Sequence, residues 1–295
     1  MIPVKLREKY APCPEVRPVL EFIISNNIVC HAVEAMLFAS LSCSILGVIV
    51  TQFNVSSIGF TMAHAAFAGA AIGMFAGINA TLAAVIAGVL VAILLGPVAE
   101  YSRMSTDSIL GVFFGMTMAI AVFFIAYMQY LGKGMSASAL LFGDVVSLYR
   151  EEIYALAIIS TISIVFVYLF YKEISAIIFD MKIAEAAGIC VKPLYFVILF
   201  MIALAVSLSL NIVGGLLLFV WLVTPAAAAY QFCNSLKSMF ILAPVIAGTV
   251  SVAGALIGLA YSVPVAPLTA IMITSVFVFS MFVSPKRKIS YSKGY

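Results

Sequence analysis

Long apolar runs separated by short charged punctuation dominate the chain. Between Glu34 and Glu100, 65 consecutive residues include no Asp, Glu, Lys or Arg. Further charge-free gaps cover 25 residues between Asp107 and Lys133, 19 between Glu152 and Lys172, 44 between Lys192 and Lys237, and 48 between Lys237 and Lys286. A helix needs about 20 predominantly apolar residues to cross the hydrocarbon core of a bilayer. The gaps therefore hold three, one, one, two and two spans. The expected helices are 32–51, 58–77, 80–99, 108–129, 153–171, 194–211, 213–232, 239–260 and 265–283. The fold class is all-α, a polytopic transmembrane bundle of eight to nine helices. The count stays open because "NIVGG" at 211–215 reads either as a turn between two spans or as a kink in one long tilted helix.

Within the second and third spans a finer period shows. Ala65, Gly69, Gly73 and Gly77 recur every four residues, as do Ala80, Ala84, Gly88, Ala92 and Gly96. Small residues at that spacing form a flat ridge along which helix backbones approach closely. The ridges point to a packed multi-helix bundle.

Composition agrees: 65% of the chain is hydrophobic and 9% charged, with mean hydropathy +1.22, against about 25% charged in a soluble domain. The chain divides into a tail with an interfacial segment (1–30), a membrane domain (31–285) and a basic tail (286–295). "EVRPVLEFIISNNIV", at the end of the first part, reads as an amphipathic helix lying on the outer interface. The N-terminal "MIPVKLREKYAPCPEVRP" has no apolar core before a cleavage site, so it is not read as a secretory signal. Lysine and arginine favour the cytoplasmic side of a membrane protein. With the N-terminus outside and the C-terminus cytoplasmic, nine of them fall inside (Arg103, Lys172, Lys182, Lys192, Lys237, Lys286, Arg287, Lys288, Lys293) and six outside. The five cysteines show no metal-ligand spacing and imply no disulfide framework. No phosphate-binding loop G-x-x-x-x-G-K-[ST], G-x-S-x-G or H-E-x-x-H occurs. The chain reads as a pathway and not as an enzyme, binding no cofactor of its own and no nucleic acid.

Polar groups inside the spans are few, and such groups are costly in a membrane and often functional. His64 is the histidine set deep in an apolar stretch. Its imidazole is either a transient ligand for a divalent transition metal or a structural group bonded to a neighbouring carbonyl. Glu34, near the outer end of the first span, either attracts a cation at the mouth or sits among headgroups. Asn211 either lines a gate or satisfies loosened backbone. Asp107, one residue before the fourth span, reads as a helix cap.

Several segments, taken in order, resemble a known family. "SIGFTMAHAAFAGAAIG" (57–73) is similar to a Gly-Asp-x-x-x-His-x-x-x-x-Gly stretch. "STDSILGVFFGMTMA" (105–119) and "LLFGDVVSLYREEI" (140–153) are similar to its fourth-helix start and an outer loop. "YKEISAIIFDMKIAEAAGI" (171–189) resembles its Phe-Asp-x-x-x-Ala-x-x-x-Gly cytoplasmic segment, and "VGGLLLFVWLVTPAAAAY" (213–230) is the nearest match. The family is that of the permease subunits of ABC importers for zinc, manganese and iron. The resemblance implies a homodimeric permease in the plasma (inner) membrane, two copies of a separate ATPase that binds ATP, and an extracellular solute-binding protein. It also implies a metal pathway past His64. The motif's Asp is Phe60 here, its Pro is Ala68, and a Pro-x-Gly near the last span is replaced by Pro264 and Pro267 without a glycine.

On this reading Gly214 and Gly215 loosen the chain near the outer face as a gate, and Pro225 kinks the following span. The ATPase grips 172–192, through Asp180, Lys182 and Glu185 on one short helix with Gly188 as its C-cap, and the segment around Lys237. An ion-coupled secondary transporter is the alternative. It would need no ATPase and would often show inverted repeats and charged groups at mid-membrane, and neither is evident.

Overall fold

A computed structural model of the protein describes residues 27–53, 57–132, 143, 149–215 and 218–284. The expected interfacial helix at 15–29 and the basic tail lie almost wholly outside them. The described residues form eleven helices: α1 (Asn27–Gln52), α2 (Ser57–Ala76), α3 (Ala80–Ser102), α4 (Thr106–Tyr130), α5 (Arg150–Leu169), α6 (Tyr171–Phe179), α7 (Met181–Ala186), α8 (Val191–Val213), α9 (Leu218–Phe232), α10 (Leu236–Ala260) and α11 (Val265–Val283). Eight are long and apolar enough to cross a membrane, and the shorter α9 joins them. At 15 residues, α9 is about 22 Å long at 1.5 Å per residue, short of the ~30 Å core.

Local chemistry sets the helix ends. Asn79 accepts a hydrogen bond from the Leu82 amide at 3.2 Å and caps α3. Ser235 caps α10 through the Ser238 amide at 3.3 Å. At α4 the cap is Ser105, which accepts from the Ser108 amide at 3.4 Å. Asp107 was the expected cap; it lies inside the first turn, where its charge complements the helix dipole. The 171–189 segment is two short helices where one was expected. Asp180 takes an extended conformation (φ −164°, ψ 123°) that interrupts the helix.

α1 and α2 form the centre. α1 packs against α5, α8, α9 and α10, and α2 against α3, α4, α8 and α9. Backbones approach closely at the small residues. A Cβ on Gly69 would lie 2.6 Å from the Ala87 Cβ, and one on Gly73 2.6 Å from the Ala83 Cβ, so the α2 ridge seats on Ala83 and Ala87 of α3. The α3 ridge faces elsewhere. Ser207 of α8 donates to the Ala84 carbonyl at 3.2 Å, and a Cβ on Gly88 would come within 2.8 Å of the Ser207 hydroxyl. The two sequence ridges are thus adjacent stripes serving different neighbours, and α3 is wedged between α2 and α8. The opposite face of α3 exposes Leu82, Ile86, Leu90 and Ile93, the outward apolar surface expected of a helix facing lipid.

Candidate functional site

Phe60, His64 and Phe67 recur at i, i+4 and i+7, which places them on one face of α2. Packing against α4 and α9 buries that face, and His64 is only 2% exposed. The imidazole stands edge-to-face against Phe60 and Phe114, each with ring centroids 4.7 Å away, and Phe67 lies at 6.5 Å. Phe60 also packs on Phe114 at 4.5 Å and on Phe219 of α9 at 5.3 Å. Neither ring nitrogen of His64 has a hydrogen-bond partner among the described residues. A buried polar group left unpaired costs about 1–3 kcal/mol. No carbonyl among the described residues bonds to either nitrogen. The imidazole is held in an aromatic box.

The break between α8 and α9 meets the same face. Gly214 ends α8 at φ 78° and ψ 156°, and its amide donates to the Leu210 carbonyl at 2.8 Å. This conformation suits glycine alone. Gly215 is buried, and a Cβ there would sit 3.1 Å from the Phe67 Cβ. Phe67 is the eleventh of the 20 residues of α2, so the break lies beside the middle of that helix. From there α9 runs antiparallel to α2 down to Leu222, whose side chain fills the space left by Gly59. Irregular backbone at such a depth is tolerated only where protein buries it or a cavity re-satisfies it. Pro225 continues within α9 and is buried. Asn211 is in the last turn of α8.

Glu34 is exposed on α1. It lies 13 residues, about 20 Å, along that helix from Gly47, which abuts the Leu222 carbonyl. Glu34 makes no hydrogen bond to His64. Among the described residues no group of three or more His, Cys, Asp or Glu side chains could hold a metal ion. His64 is therefore not part of a closed metal site among the described residues.

The 171–192 and 229–240 segments meet. The ring of Tyr171 stands 6.2 Å from that of Phe240, and the Ser284 hydroxyl ties the end of α11 to the Gln231 carbonyl at 2.9 Å. Asp180 caps α7, accepting from the Lys182 and Ile183 amides at 2.8 and 3.0 Å. Gly188 follows α7 at φ 86°, donating to the Glu185 carbonyl at 3.0 Å, and Ile189 donates to that of Ala184 at 3.1 Å. This is the reciprocal C-terminal pairing that glycine favours. Lys182, Glu185 and Lys237 are exposed. So are two apolar side chains that the charge-based reading missed: Phe179 at 82% and Ile183 at 58%. No spacing in the sequence marked them, because Asp180 interrupts the helix between them. Phe114 and Phe219 were missed as well, because they join His64 only through the tertiary fold.

Residues 25–284 match the family described as the ABC 3 transport family. The chain belongs to that family. Over 267 residues it is 27% identical to a manganese transport system membrane protein, MntC, of Halalkalibacterium halodurans, covering 90% of this chain and 91% of that protein. It is 25% identical over 264 residues to the manganese import system permease protein ScaB of Streptococcus parasanguinis, covering 88% and 92%. In fold it is similar to PsaBC from Streptococcus pneumoniae, solved in complex with Fab, with a TM-score of 0.82 over 95% of this chain and 100% of that one, at 22% identity. Membership in the ABC 3 transport family makes this a multi-pass membrane transport protein and sets aside the ion-coupled secondary transporter.

Proposed function

We propose that the chain is the permease of an ATP-driven importer for manganese or a related divalent transition metal. The observation that supports this reading is the likeness to manganese permeases along nine-tenths of the chain. His64, beside the backbone break, supplies a nitrogen donor on the path, and a neutral imidazole suits such ions. Two copies of the chain enclose the path between them, and Asn211, Gly214 and Gly215 gate it. Glu34 lies toward the mouth. The N-terminus faces outward and the C-terminus the cytoplasm. An extracellular binding protein delivers the ion, and two ATPase subunits supply the energy.

The ATPase docks on α6 and α7, with Phe179 and Ile183 entering its surface and Lys182, Glu185 and Lys237 making the charged contacts at the rim. Asp180 serves this surface by capping α7. The test is uptake after reconstitution with the cognate ATPase and binding protein, compared across manganese, zinc, iron and cobalt. ATP-dependent manganese uptake is the expected result. Uptake that persists without the ATPase would overturn the reading.

A further inference from the structure

A cavity of about 380 Å³ lies where α5 ends and α8 begins. Phe166, Phe170, Leu194 and Val197 make its apolar walls, Glu173 contributes from α6 and Cys190 from the start of α8. One carboxylate oxygen of Glu173, Oε2, is buried and has no hydrogen-bond partner among the described residues. A buried carboxylate oxygen without a partner is costly; what it lacks is a hydrogen-bond donor, and an ammonium group is the donor that also offsets its charge. Two features define the occupant. It must bring a cation to Glu173, and it must fill an apolar groove bounded by two spanning helices. Val197, the seventh residue of α8, is about 9 Å along that helix and 43% exposed, so the groove runs from the start of this apolar spanning helix toward its middle. The side chain of a water-soluble partner reaches the rim only. A lipid with an ammonium headgroup satisfies both features, and exposed Lys172, next to Glu173, offers its phosphate a counter-charge.

We infer that this groove is a binding site for an aminophospholipid of the phosphatidylethanolamine type, with its ammonium on Glu173 and an acyl chain along Phe166 and Val197. The site is separate from the His64 path. A lipid held there braces α5 against α8 at the base of the α6–α7 elbow.

The test is lipid retention by the full-length chain. The protein is equilibrated in mixed micelles of equimolar phosphatidylethanolamine, phosphatidylcholine and phosphatidylglycerol and read by native mass spectrometry. Wild type is expected to retain phosphatidylethanolamine first and phosphatidylglycerol last. Glu173→Gln should cut that preference about tenfold, the range of one net charge-assisted hydrogen bond. Val197→Trp, which fills the groove and keeps the carboxylate, should abolish retention with unchanged helical circular dichroism. If Glu173→Gln does not fold, the Val197→Trp result decides alone. Equal retention of the three lipids by wild type would overturn the inference, as would both variants keeping the wild-type ranking. A Glu173→Gln chain that keeps the ranking but releases a co-expressed ATPase would also overturn it, because the groove would then belong to a cationic side chain of a protein partner.

Discussion

The middle of α2 and the α6–α7 elbow break the same packing rule in opposite directions. Around His64 a polar ring is set among phenylalanines with neither nitrogen paired among the described residues. At the elbow Phe179 and Ile183 stand exposed beside charged neighbours. The two regions are also held by different forces. The α2 face is fixed by close backbone approach across small residues, the elbow by caps at Asp180 and Gly188. Each region carries a local defect that its own stability does not need. Such defects concentrate at functional sites, and the proposed function gives the first to an ion and the second to a partner.

The largest effect is expected at the core seam. A Cβ on Gly47 would overlap the Leu222 backbone carbonyl, so Gly47→Val should cost more than about 4 kcal/mol and leave no folded protein. Size-exclusion chromatography of the detergent extract checks this, and a folded monodisperse variant would show that the seam is not fixed. Next comes His64→Leu. Removing an unpaired buried polar group should raise stability by about 1–3 kcal/mol, seen as a higher melting temperature, while uptake falls. A lower melting temperature would mean that His64 has a partner and the contrast between the two regions fails.

At the elbow, Asp180→Ala should cost about 1 kcal/mol through the lost cap, and Asp180→Asn only a fraction of that. Thermal scans of both variants separate the cap from the charge. The smallest effect on stability is expected from Phe179→Ser, within about 0.5 kcal/mol because the side chain is exposed. Its binding effect should be large, weakening ATPase association about tenfold or more in a pull-down titration.

Much of the bundle was legible in the sequence, because charge-free gaps and a 20-residue span length are imposed by the bilayer itself. All nine expected segments contain a helix. "NIVGG" proved to be a true break, since Gly214 adopts a backbone conformation that no helix interior allows. Its depth was not legible, because only the contact of Gly215 with Phe67 places it beside mid-α2. The Asp107 cap failed for a local reason: Ser105 stood two residues earlier with a better-placed hydroxyl. His64 was legible as an oddity, but its box was not, because Phe114 and Phe219 come from α4 and α9.

The most direct test of the account is ATP-dependent manganese uptake per folded complex, measured in proteoliposomes for wild type and for His64→Gln side by side. The account predicts uptake by wild type and a fall of at least about tenfold in the variant, a loss near 1.4 kcal/mol, with the complex intact. Wild-type rates and an unchanged metal preference in His64→Gln would contradict it and take His64 off the path.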